Sequence, residues 1–334
     1  MTESLSGTAT RKLLVSFHPN PRVLPLVDGS VKPEGLELEW ETADPGAAFM
    51  RALTKNDFDV FEFSISHYIA TREHPNPAYA GWIAVPVFSS KPSGIYRNLF
   101  LREASGIRSL ADLRGKRLGI PDFSMTGGVA IRVILKTLYG IHPREITWIN
   151  TRPESLRHDH AMGFDHSTDT GIEVSNIDER TTPQRMLECG ELDAAVGAPQ
   201  VEIVAAPGIR RFPLEQWIEV LSAVRRAIGI TPVNHTLLVQ KRLLHERPDL
   251  AMRLLAAFES SKAEAYRRSP AARAIFPEGD IELQRRSFGE DPYPYGLRAN
   301  RQVLELVAEQ LEIDGIIRKR PDIDALVAQS VRDS

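Results

Sequence analysis

The chain has 334 residues, of which 42% are hydrophobic and 25% are charged, and its formal net charge is −3. This length allows two domains of ordinary size, each with its own core. The near balance of charge gives no electrostatic reason to expect nucleic acid or an anionic membrane as a partner. Cys189 is the only cysteine, which excludes an internal disulfide and a multi-cysteine zinc site.

The N-terminus bears on the expected location. No apolar run of signal-peptide length precedes Pro19, and no stretch of the chain approaches the roughly 18 apolar residues of a membrane helix. We therefore expect a cytoplasmic protein without a membrane partner.

The first third of the chain alternates between strand and helix patterns. Five segments have the alternating or apolar pattern of strands: residues 12–17, 36–40, 58–63, 83–88 and 96–102. A helix at 47–55 follows the start signal of Asp44 and Pro45, and residues 64–67 form a polar loop after the third strand. This alternation is typical of βαβ units around a mainly parallel sheet.

The rest of the chain continues the pattern. A helix is predicted from Thr126, as its N-cap, to Tyr139, with Gly140 ending it. Residues 151–176 lack periodicity and are predicted to be a surface loop. The other predicted helices are 109–116, 182–189, 248–267 and a last one near 300–311, and the other strands are 116–120, 145–150, 194–198 and 235–239.

Two motifs indicate the fold. Residues 109–120 read SLADLRGKRLGI and residues 190–196 read GELDAAV, and both resemble passages in the second lobe of type II periplasmic binding proteins. The resemblance implies an α/β protein with two Rossmann-like lobes joined by two hinge strands, and a ligand cleft between the lobes. Strands 98–101 and 236–239 fall where the paired hinge strands lie. The implied lobes are 1–98 plus 238–334, and 103–230.

Within that fold, the chain resembles the 4,5-dihydroxyphthalate decarboxylase family. The matching passages are DVFEFSIS at 59–66, Met125-Thr126 with Ile131-Arg132, and PYGLRANR at 294–301. Two passages depart from the family pattern: DFSMTGGVAIRV at 122–133 replaces EYQMTAAVWIRG, and FSSK at 88–91 replaces FPSR. The resemblance implies a decarboxylase that needs no cofactor and acts on a hydroxylated aromatic acid, and the departures leave the exact acid open.

Two polar segments are candidate ligand sites in the predicted cleft. The helix start at 124–128, with Met125, Thr126 and Gly127, offers free backbone N–H groups to a carboxylate, or is an ordinary capped helix. Ser64 and Ser66 follow a buried strand and either bind the ligand or cap the next helix. His67 beside them either moves a proton or is partly solvated.

The hinge strands supply further candidates. Arg97 and Asn98 lie beside the first hinge strand, and Asn234 and His235 lie beside the second. Arg97 is suited to clamp a carboxylate through two hydrogen bonds, or forms an ion pair between the lobes. His235 is either an acid–base group or a satisfied strand histidine. Tyr295 either faces the cleft or is a buried tyrosine that closes a turn.

Two other sets of polar residues have a structural explanation. Arg132 is about two turns into its helix, where we expect a salt bridge. A histidine-rich segment has the composition of a metal site but no zinc-motif spacing, so we expect a solvated loop without a metal. Its members are His158, Asp159, His160, Asp165 and His166.

Loss of CO₂ from a hydroxylated benzoate requires a proton donor at the ring carbon, a base or hydrogen bond for the phenol, and a clamp for any remaining carboxylate. His67 or His235 as acid or base, the hydroxyls of Ser64, Ser66 and Thr126, and Arg97 as clamp would fill these roles. The expected ligand is a small aromatic carboxylate, and the oligomeric state is left open. Two alternatives remain: a non-catalytic transport or sensing protein for a small carboxylate, and another enzyme on this fold, such as the menaquinone-pathway type.

Overall fold

The computed structural model describes residues 12–164 and 170–334. Its strands are β1 Leu13–Ser16, β2 Leu38–Glu41, β3 Val60–Ser64, β4 Trp82–Val85, β5 Leu99–Arg102, β6 Arg117–Ile120, β7 Thr147–Asn150, β8 Val174–Asn176, β9 Ala194–Val196, β10 Ile209–Arg211 and β11 His235–Gln240. Its helices are α1 Leu24–Val27, α2 Pro45–Thr54, α3 Ile65–Ala70, α4 Pro77–Ala80, α5 Ser93–Arg97, α6 Thr126–Tyr139, α7 His158–Ala161, α8 Pro183–Cys189, α9 Leu214–Ile228, α10 Lys241–Glu246, α11 Leu250–Arg268, α12 Ile281–Phe288 and α13 Leu297–Ile313.

The strands form two sheets. Sheet 1 has the order β2-β1-β3-β11-β4, and sheet 2 has the order β10-β5-β9-β6-β7-β8. Strands β2, β1 and β3 of sheet 1 run parallel to one another, as do strands β9, β6, β7 and β8 of sheet 2. Strand β11 in sheet 1 and strand β5 in sheet 2, which lie next to the points where the chain crosses between the sheets, run antiparallel to both of their neighbours. The predicted α/β class is confirmed, but the sheets are mixed and not mainly parallel: among the described strand pairs five are parallel and four are antiparallel.

The chain crosses between the sheets twice. It leaves sheet 1 after β4, enters sheet 2 at β5, and returns to sheet 1 at β11. The expectation that the two hinge strands pair with each other is wrong, because both edges of each strand are already used: β11 pairs with β3 and β4, and β5 pairs with β9 and β10. The crossing segments are instead joined by a hydrogen bond of 3.0 Å from the Asn234 N–H to the Ser90 carbonyl. The lobe boundaries stay a prediction.

Local predictions failed in three places. Residues 93–97 form α5, although a strand was expected from residue 96. Residues 65–70 form the buried helix α3, although a polar loop was expected at 64–67. The unpatterned segment 151–176 contains α7 and β8 and includes buried residues. In the second and third places, tertiary burial overrides a polar local sequence. Helix α9 is absent from the sequence prediction, although its buried Trp217, Leu221 and Val224 recur at helical spacing.

Helix α6 matches its predicted bounds, and an ion pair fixes it to the rest of the fold. The guanidinium of Arg132 donates from Nε to Asp314 at 2.9 Å, and both side chains are fully buried. Asp314 directly follows α13. The salt bridge predicted for Arg132 is confirmed, and it holds the helix whose first turn reaches the cleft between the sheets.

Among residues 12–164 and 170–334, none of the helices has the length and apolarity that a bilayer-spanning segment requires.

Breaking this pair should destabilise the fold. We expect Arg132→Met to lower the free energy of unfolding by about 3–5 kcal/mol, because it leaves the Asp314 carboxylate buried without its partner. The double variant Arg132→Met with Asp314→Leu should recover most of this loss, since it removes both charges. Urea unfolding followed by circular dichroism measures both values. Equal losses in the single and double variants would show that packing, and not the uncompensated charge, is what matters here.

Candidate functional site

A cavity of about 150 Å³ lies between the two sheets. Cavities of about this size bind molecules as large as benzene, so a single aromatic ring fits. Its walls come from both halves of the chain: Asp44, Pro45, Gly46, Phe49, Ser64, His67, Ile95, Met125, Thr126, Gly127, Arg152, His158, Ala198, Pro199, Gln200, Asn234 and His235. Seven of the predicted site residues are among them, namely Ser64, His67, Met125, Thr126, Gly127, Asn234 and His235.

Hydroxyl groups join the two halves at the floor of this cavity. The Thr126 hydroxyl lies 2.8 Å from Ser64 Oγ and accepts a hydrogen bond of 3.0 Å from the Ser66 N–H. Thr126 is therefore not the N-cap of its own helix α6, where that position belongs to Met125 without a side-chain cap bond. It instead satisfies an N–H of the first turn of α3, across the cleft, which is a group with no partner inside its own helix.

The hydrogens of this cluster can be assigned in part. Ser66 Oγ donates to the Ser124 carbonyl at 2.6 Å, so it is an acceptor toward its neighbours Ser64 and Thr126, each 3.1 Å away. Thr126 can donate to Ser64, and Ser64, which lines the cavity, can then turn its own hydrogen toward a ligand. Ser66 does not line the cavity, but its Oγ contacts the hydroxyl groups of Ser64 and Thr126.

His67 lines the cavity and is linked to the carboxylate of Asp122 through the hydroxyl of Ser124. Ser124 Oγ donates to Asp122 at 2.7 Å and lies 2.8 Å from His67 Nε2, so Nε2 carries a hydrogen and donates to Ser124. The opposite nitrogen, Nδ1, is buried and has no hydrogen-bond partner among the described residues. His67 is fully buried, so it is not the partly solvated histidine of the alternative interpretation.

The carboxylate of Asp122 is kept ionised by its neighbours. Burial alone would raise the pKa of Asp122, but the hydrogen bond and attraction of His67, with further contributions from His158 and Ser124, outweigh it and hold this pKa well below the usual value. An ionised Asp122 stabilises a positive charge on His67 through the bridging Ser124. His67 is therefore equipped to hold and release a proton at Nδ1.

His235 forms a second histidine–carboxylate pair. Its Nδ1 donates to Glu62 at 2.7 Å, and the Asn234 amide lies 2.8 Å from its Nε2. Burial raises the pKa of Glu62, while attraction and hydrogen bonding from His235, with the bonds of Ser90 and the His18 N–H, outweigh it and lower this pKa. With the Asn234 NH₂ as donor, Nε2 is the ring atom that could accept a proton.

Arg152 supplies the buried positive charge of the cavity. Its side chain is 7% exposed, lines the cavity, and has no hydrogen-bond partner for Nε among the described residues. Burial lowers its pKa despite the attraction of Asp122, Asp44 and Asp159. A buried guanidinium with an unpaired donor is costly unless a ligand completes its hydrogen bonds. Sequence reasoning missed Arg152, because it lies in the unpatterned segment that was predicted to be a loop.

The first turn of α6 lies beside this charge. The N–H groups of a first helical turn have no partner inside the helix, and the helix dipole favours an anion there. Gly127 is required by packing, because a Cβ at this position would come within 2.6 Å of Ile95 Cγ1. A branched side chain at 127 would therefore displace Ile95, which lines the same cavity.

Besides Ser66, three predicted site residues lie outside this cavity. Arg97 is half-exposed and pairs with Glu278 at 2.5 Å, and its role as a carboxylate clamp stays a prediction. Asn98 ends α5, and its carbonyl accepts from the Gly197 N–H at 2.8 Å. Tyr295 is a buried tyrosine with Lys262 Nζ 4.1 Å above its ring centroid.

The expectation of a solvated loop is wrong for two residues of the histidine-rich segment. His158 and Asp159 are 4% and 1% exposed, because α7 packs under α2, where the His158 Nε2 donates to the Gly46 carbonyl at 3.1 Å. His160 is exposed and pairs with Glu154, while Asp165 and His166 lie outside the described residues. Within the described part of the chain, no group of three or more His, Cys, Asp or Glu side chains is arranged to hold a metal ion.

Comparisons with solved structures define the class of protein. The periplasmic aliphatic sulphonate binding protein SsuA from Escherichia coli aligns with 97% of this chain and 99% of its own, at a TM-score of 0.54 and 14% identity. The alkanesulfonate-binding protein SsuA from Xanthomonas axonopodis pv. citri aligns with 96% and 97% of the two chains, at a TM-score of 0.50 and 13% identity. The protein has the periplasmic-binding-protein fold, as predicted.

Comparisons with curated proteins give the family. The 4,5-dihydroxyphthalate decarboxylase of Comamonas testosteroni is 31% identical over 315 residues, which are 90% of this chain and 91% of that protein. The enzyme of the same name from Pseudomonas putida is 35% identical over 179 residues, 53% of this chain and 66% of that protein. No family model matches the chain. The chain belongs to the 4,5-dihydroxyphthalate decarboxylase family, and the resemblance is confirmed.

The burial of His158 should make the protein sensitive to acid. Burial, with the repulsion of His67 and Arg152, lowers the pKa of His158 to about 3 from its usual 6.5. At a pH between about 3 and 6.5, His158 binds a proton in the unfolded chain but not in the folded chain. The free energy of unfolding therefore falls as the pH drops below about 6.5, by up to ~1.4 kcal/mol per pH unit.

We expect His158→Gln to flatten this slope between about pH 4.5 and 6.5, where Asp122 is ionised in both states. Urea unfolding at a series of pH values measures the slope, with His160→Gln as the matched exposed control. A native slope in His158→Gln, or an equal change in both variants, would contradict this assignment.

Proposed function

We propose that this protein is a decarboxylase of a hydroxylated aromatic acid, similar to 4,5-dihydroxyphthalate, and that it acts in the 150 Å³ cavity without an organic cofactor. The observation that carries the proposal is the arrangement around a ring-sized space of the incompletely paired guanidinium of Arg152 and the unpartnered Nδ1 of His67. Family membership supports the reaction type. The cytoplasmic location stays a prediction.

The cavity has a place for the carboxylate that remains on the ring. Arg152 supplies a charged donor, and the first-turn N–H groups of α6 at Thr126 and Gly127 supply neutral ones. Ser64 can donate a hydrogen bond to the ligand and keep the contact between the two halves, because Thr126 donates to it in turn. These groups would fix the ring and place the reacting carbon toward the histidines.

His67 is the proposed proton donor. Its protonated form carries the proton at Nδ1, and Asp122 stabilises the imidazolium through Ser124. Transfer of this proton to the ring carbon that bears the leaving carboxylate breaks the aromaticity of the ring. The C–C bond to the carboxylate then breaks, its electron pair returns to the ring, and CO₂ leaves. His67 recovers its proton from water.

His235 is the proposed partner of the phenol. The phenol oxygen pushes electron density toward the ring carbon when its proton is withdrawn, and the neutral Nε2 of His235 can accept that proton once the Asn234 amide moves aside. The lowered pKa of Glu62 keeps this carboxylate ionised, so that it stabilises the imidazolium that forms.

The proposal is tested first by ligand binding and turnover together. Purified protein is incubated with a panel of hydroxybenzoates and hydroxylated phthalates, and CO₂ release and thermal shift are followed in parallel. We expect at least one acid to give both. A thermal shift without CO₂ release would instead support a non-catalytic carboxylate-binding protein, the alternative class.

The carboxylate clamp is tested by two matched arginine variants. We expect Arg152→Met to weaken the binding of a hydroxybenzoate about 10–100-fold, because a hydrogen bond to a charged group contributes about 1.5–3 kcal/mol. Arg97→Met should change it less than about threefold, because Arg97 is half-exposed and paired with Glu278. Isothermal titration measures both. The opposite ranking would return the clamp to Arg97.

The proton donor is tested by the turnover rate. We expect His67→Gln to lower kcat by about 10²–10⁴-fold, the usual contribution of general acid catalysis, with the dissociation constant changed less than about threefold. Ser124→Ala should shift the alkaline limb of the pH–kcat profile, where a general acid loses its proton, since it disconnects Asp122 from His67. Single-turnover CO₂ release and isothermal titration separate the two effects. A His67→Gln protein with native kcat would exclude His67 as the donor.

A further inference from the structure

A second, larger chamber adjoins the 150 Å³ cavity, which we call the ring cavity. The volume of this chamber is about 390 Å³. The two spaces share the residues Pro45, Ile95, Ala198, Pro199, Asn234 and His235. The described residues that line the second chamber include three cations, Arg22, Lys91 and Arg97, and no carboxylate. A small molecule that passes from the ring cavity into this chamber therefore meets a lysine nitrogen.

Lys91 is a buried lysine whose nitrogen is available for reaction. The residue is 7% exposed, and within the described part of the chain its nitrogen makes no hydrogen bond or ion pair. Its Nζ lies 5.0 Å from the ring centroid of Tyr293. A lysine that is desolvated and close to other cations is activated as a nucleophile, because it loses its proton more easily.

The surroundings of Lys91 are mainly positive. Burial lowers the pKa of Lys91 to about 7, and the attraction of Asp291 opposes this change. Three positive charges add to it, those of Arg22, Arg225 and Lys262. The same charges that disfavour an ammonium group at this position would favour a negative group. A reaction that turns the lysine into an anion is therefore supported by the electrostatics of the chamber.

Arg22 is the cation best placed to stabilise such an anion. It donates from Nε to the Ser89 carbonyl at 3.0 Å and from Nη1 to the Ala272 carbonyl at 2.9 Å. Its guanidinium lies 3.8 Å above the ring of Tyr293, the ring that Lys91 also contacts. Because both hydrogen bonds go to neutral carbonyls, they fix the position of Arg22 without compensating its charge.

We propose that Lys91 is a carbamylation site, at which the neutral amine reacts reversibly with carbon dioxide. The lone pair of Nζ forms an N–C bond to the carbon of CO₂, one C=O electron pair moves onto oxygen, and Nζ releases a proton to water. The product is a carbamate with one negative charge, and the buried charge of Arg22 gains a partner of opposite sign. Dissolved CO₂ is sufficient, and the decarboxylation proposed above would also supply it in the adjoining ring cavity.

The carbamate is detected with ¹³C-labelled bicarbonate, which equilibrates with CO₂ in solution. At pH 8.0 about 90% of Lys91 is neutral, against less than about 1% of an exposed lysine of ordinary pKa. We expect carbon NMR of the native protein to show a carbamate signal that saturates as the bicarbonate concentration rises. Alkylation of the carbamate with a trialkyloxonium salt, followed by peptide mass analysis, should locate it on Lys91.

Matched variants separate Lys91 from the other amines. Lys91→Arg keeps the positive charge, but its guanidinium does not lose its proton, so the signal should disappear. Lys91→Met should abolish it as well. Lys55→Arg changes an exposed lysine and should leave the signal unchanged. The α-amino group, whose usual pKa is about 8, also forms a carbamate, but it does so in every variant and cancels in the comparison.

Thermal unfolding gives a second measurement. Carbon dioxide that reacts with the folded chain at a site that the unfolded chain lacks stabilises the fold. At about ten times the half-saturating concentration, the melting temperature of the native protein should rise by about 2 °C relative to an equal concentration of chloride. The melting temperature of Lys91→Arg should not change in this comparison.

Each outcome bears on the proposal. Equal carbamate signals in the native protein and Lys91→Arg, or trapped carbamates confined to other amines, would overturn it. A thermal shift of the native protein without a carbamate signal would show a bound bicarbonate ion and overturn the covalent step. A carbamate on Lys91 without CO₂ release from any hydroxylated acid would retain this site and overturn the decarboxylase, whereas CO₂ release without the carbamate would do the reverse.

Discussion

The hydrogen bond from the Ser66 N–H to the Thr126 hydroxyl connects the first turns of two helices that start on opposite sides of the cleft. It satisfies a buried N–H group that would otherwise be costly to bury. Thr126 can do this only because Arg132, on the same helix, is fixed by Asp314. The position of the ring cavity, which lies directly beside this bond, thus depends on an ion pair at the far side of α6.

The buried acidic and basic side chains of the cleft differ in whether they have an interaction partner. The buried carboxylates of Asp122 and Glu62 each interact with a histidine, directly or through one hydroxyl. The buried guanidinium of Arg152 has no hydrogen-bond partner for its Nε within the described part of the chain. Since an unpaired buried charge reduces stability, this asymmetry indicates a site that an anion completes. The histidines can then gain or lose protons without leaving either carboxylate unpaired.

The sequence predicted the fold and assigned the two polar segments to one cleft, but it did not predict the charges or the direct contact between the segments. The bounds of α6 followed from its start and end signals, whereas the hydrogen bond between Thr126 and Ser64 is seen only in the structure. Arg152 and His158 were missed because residues 151–176 have no periodicity, and local polarity does not reveal that a segment is covered by α2.

The hydroxyl cluster also explains how a ligand can bind between halves that already contact each other. If a ligand had to break the bonds between Ser64, Ser66 and Thr126, each lost bond would subtract from its affinity. A hydroxyl can donate once and accept more than once, so Thr126 can donate to Ser64 while Ser64 donates to a carboxylate. The contact between the halves and the contact with the ligand are therefore compatible.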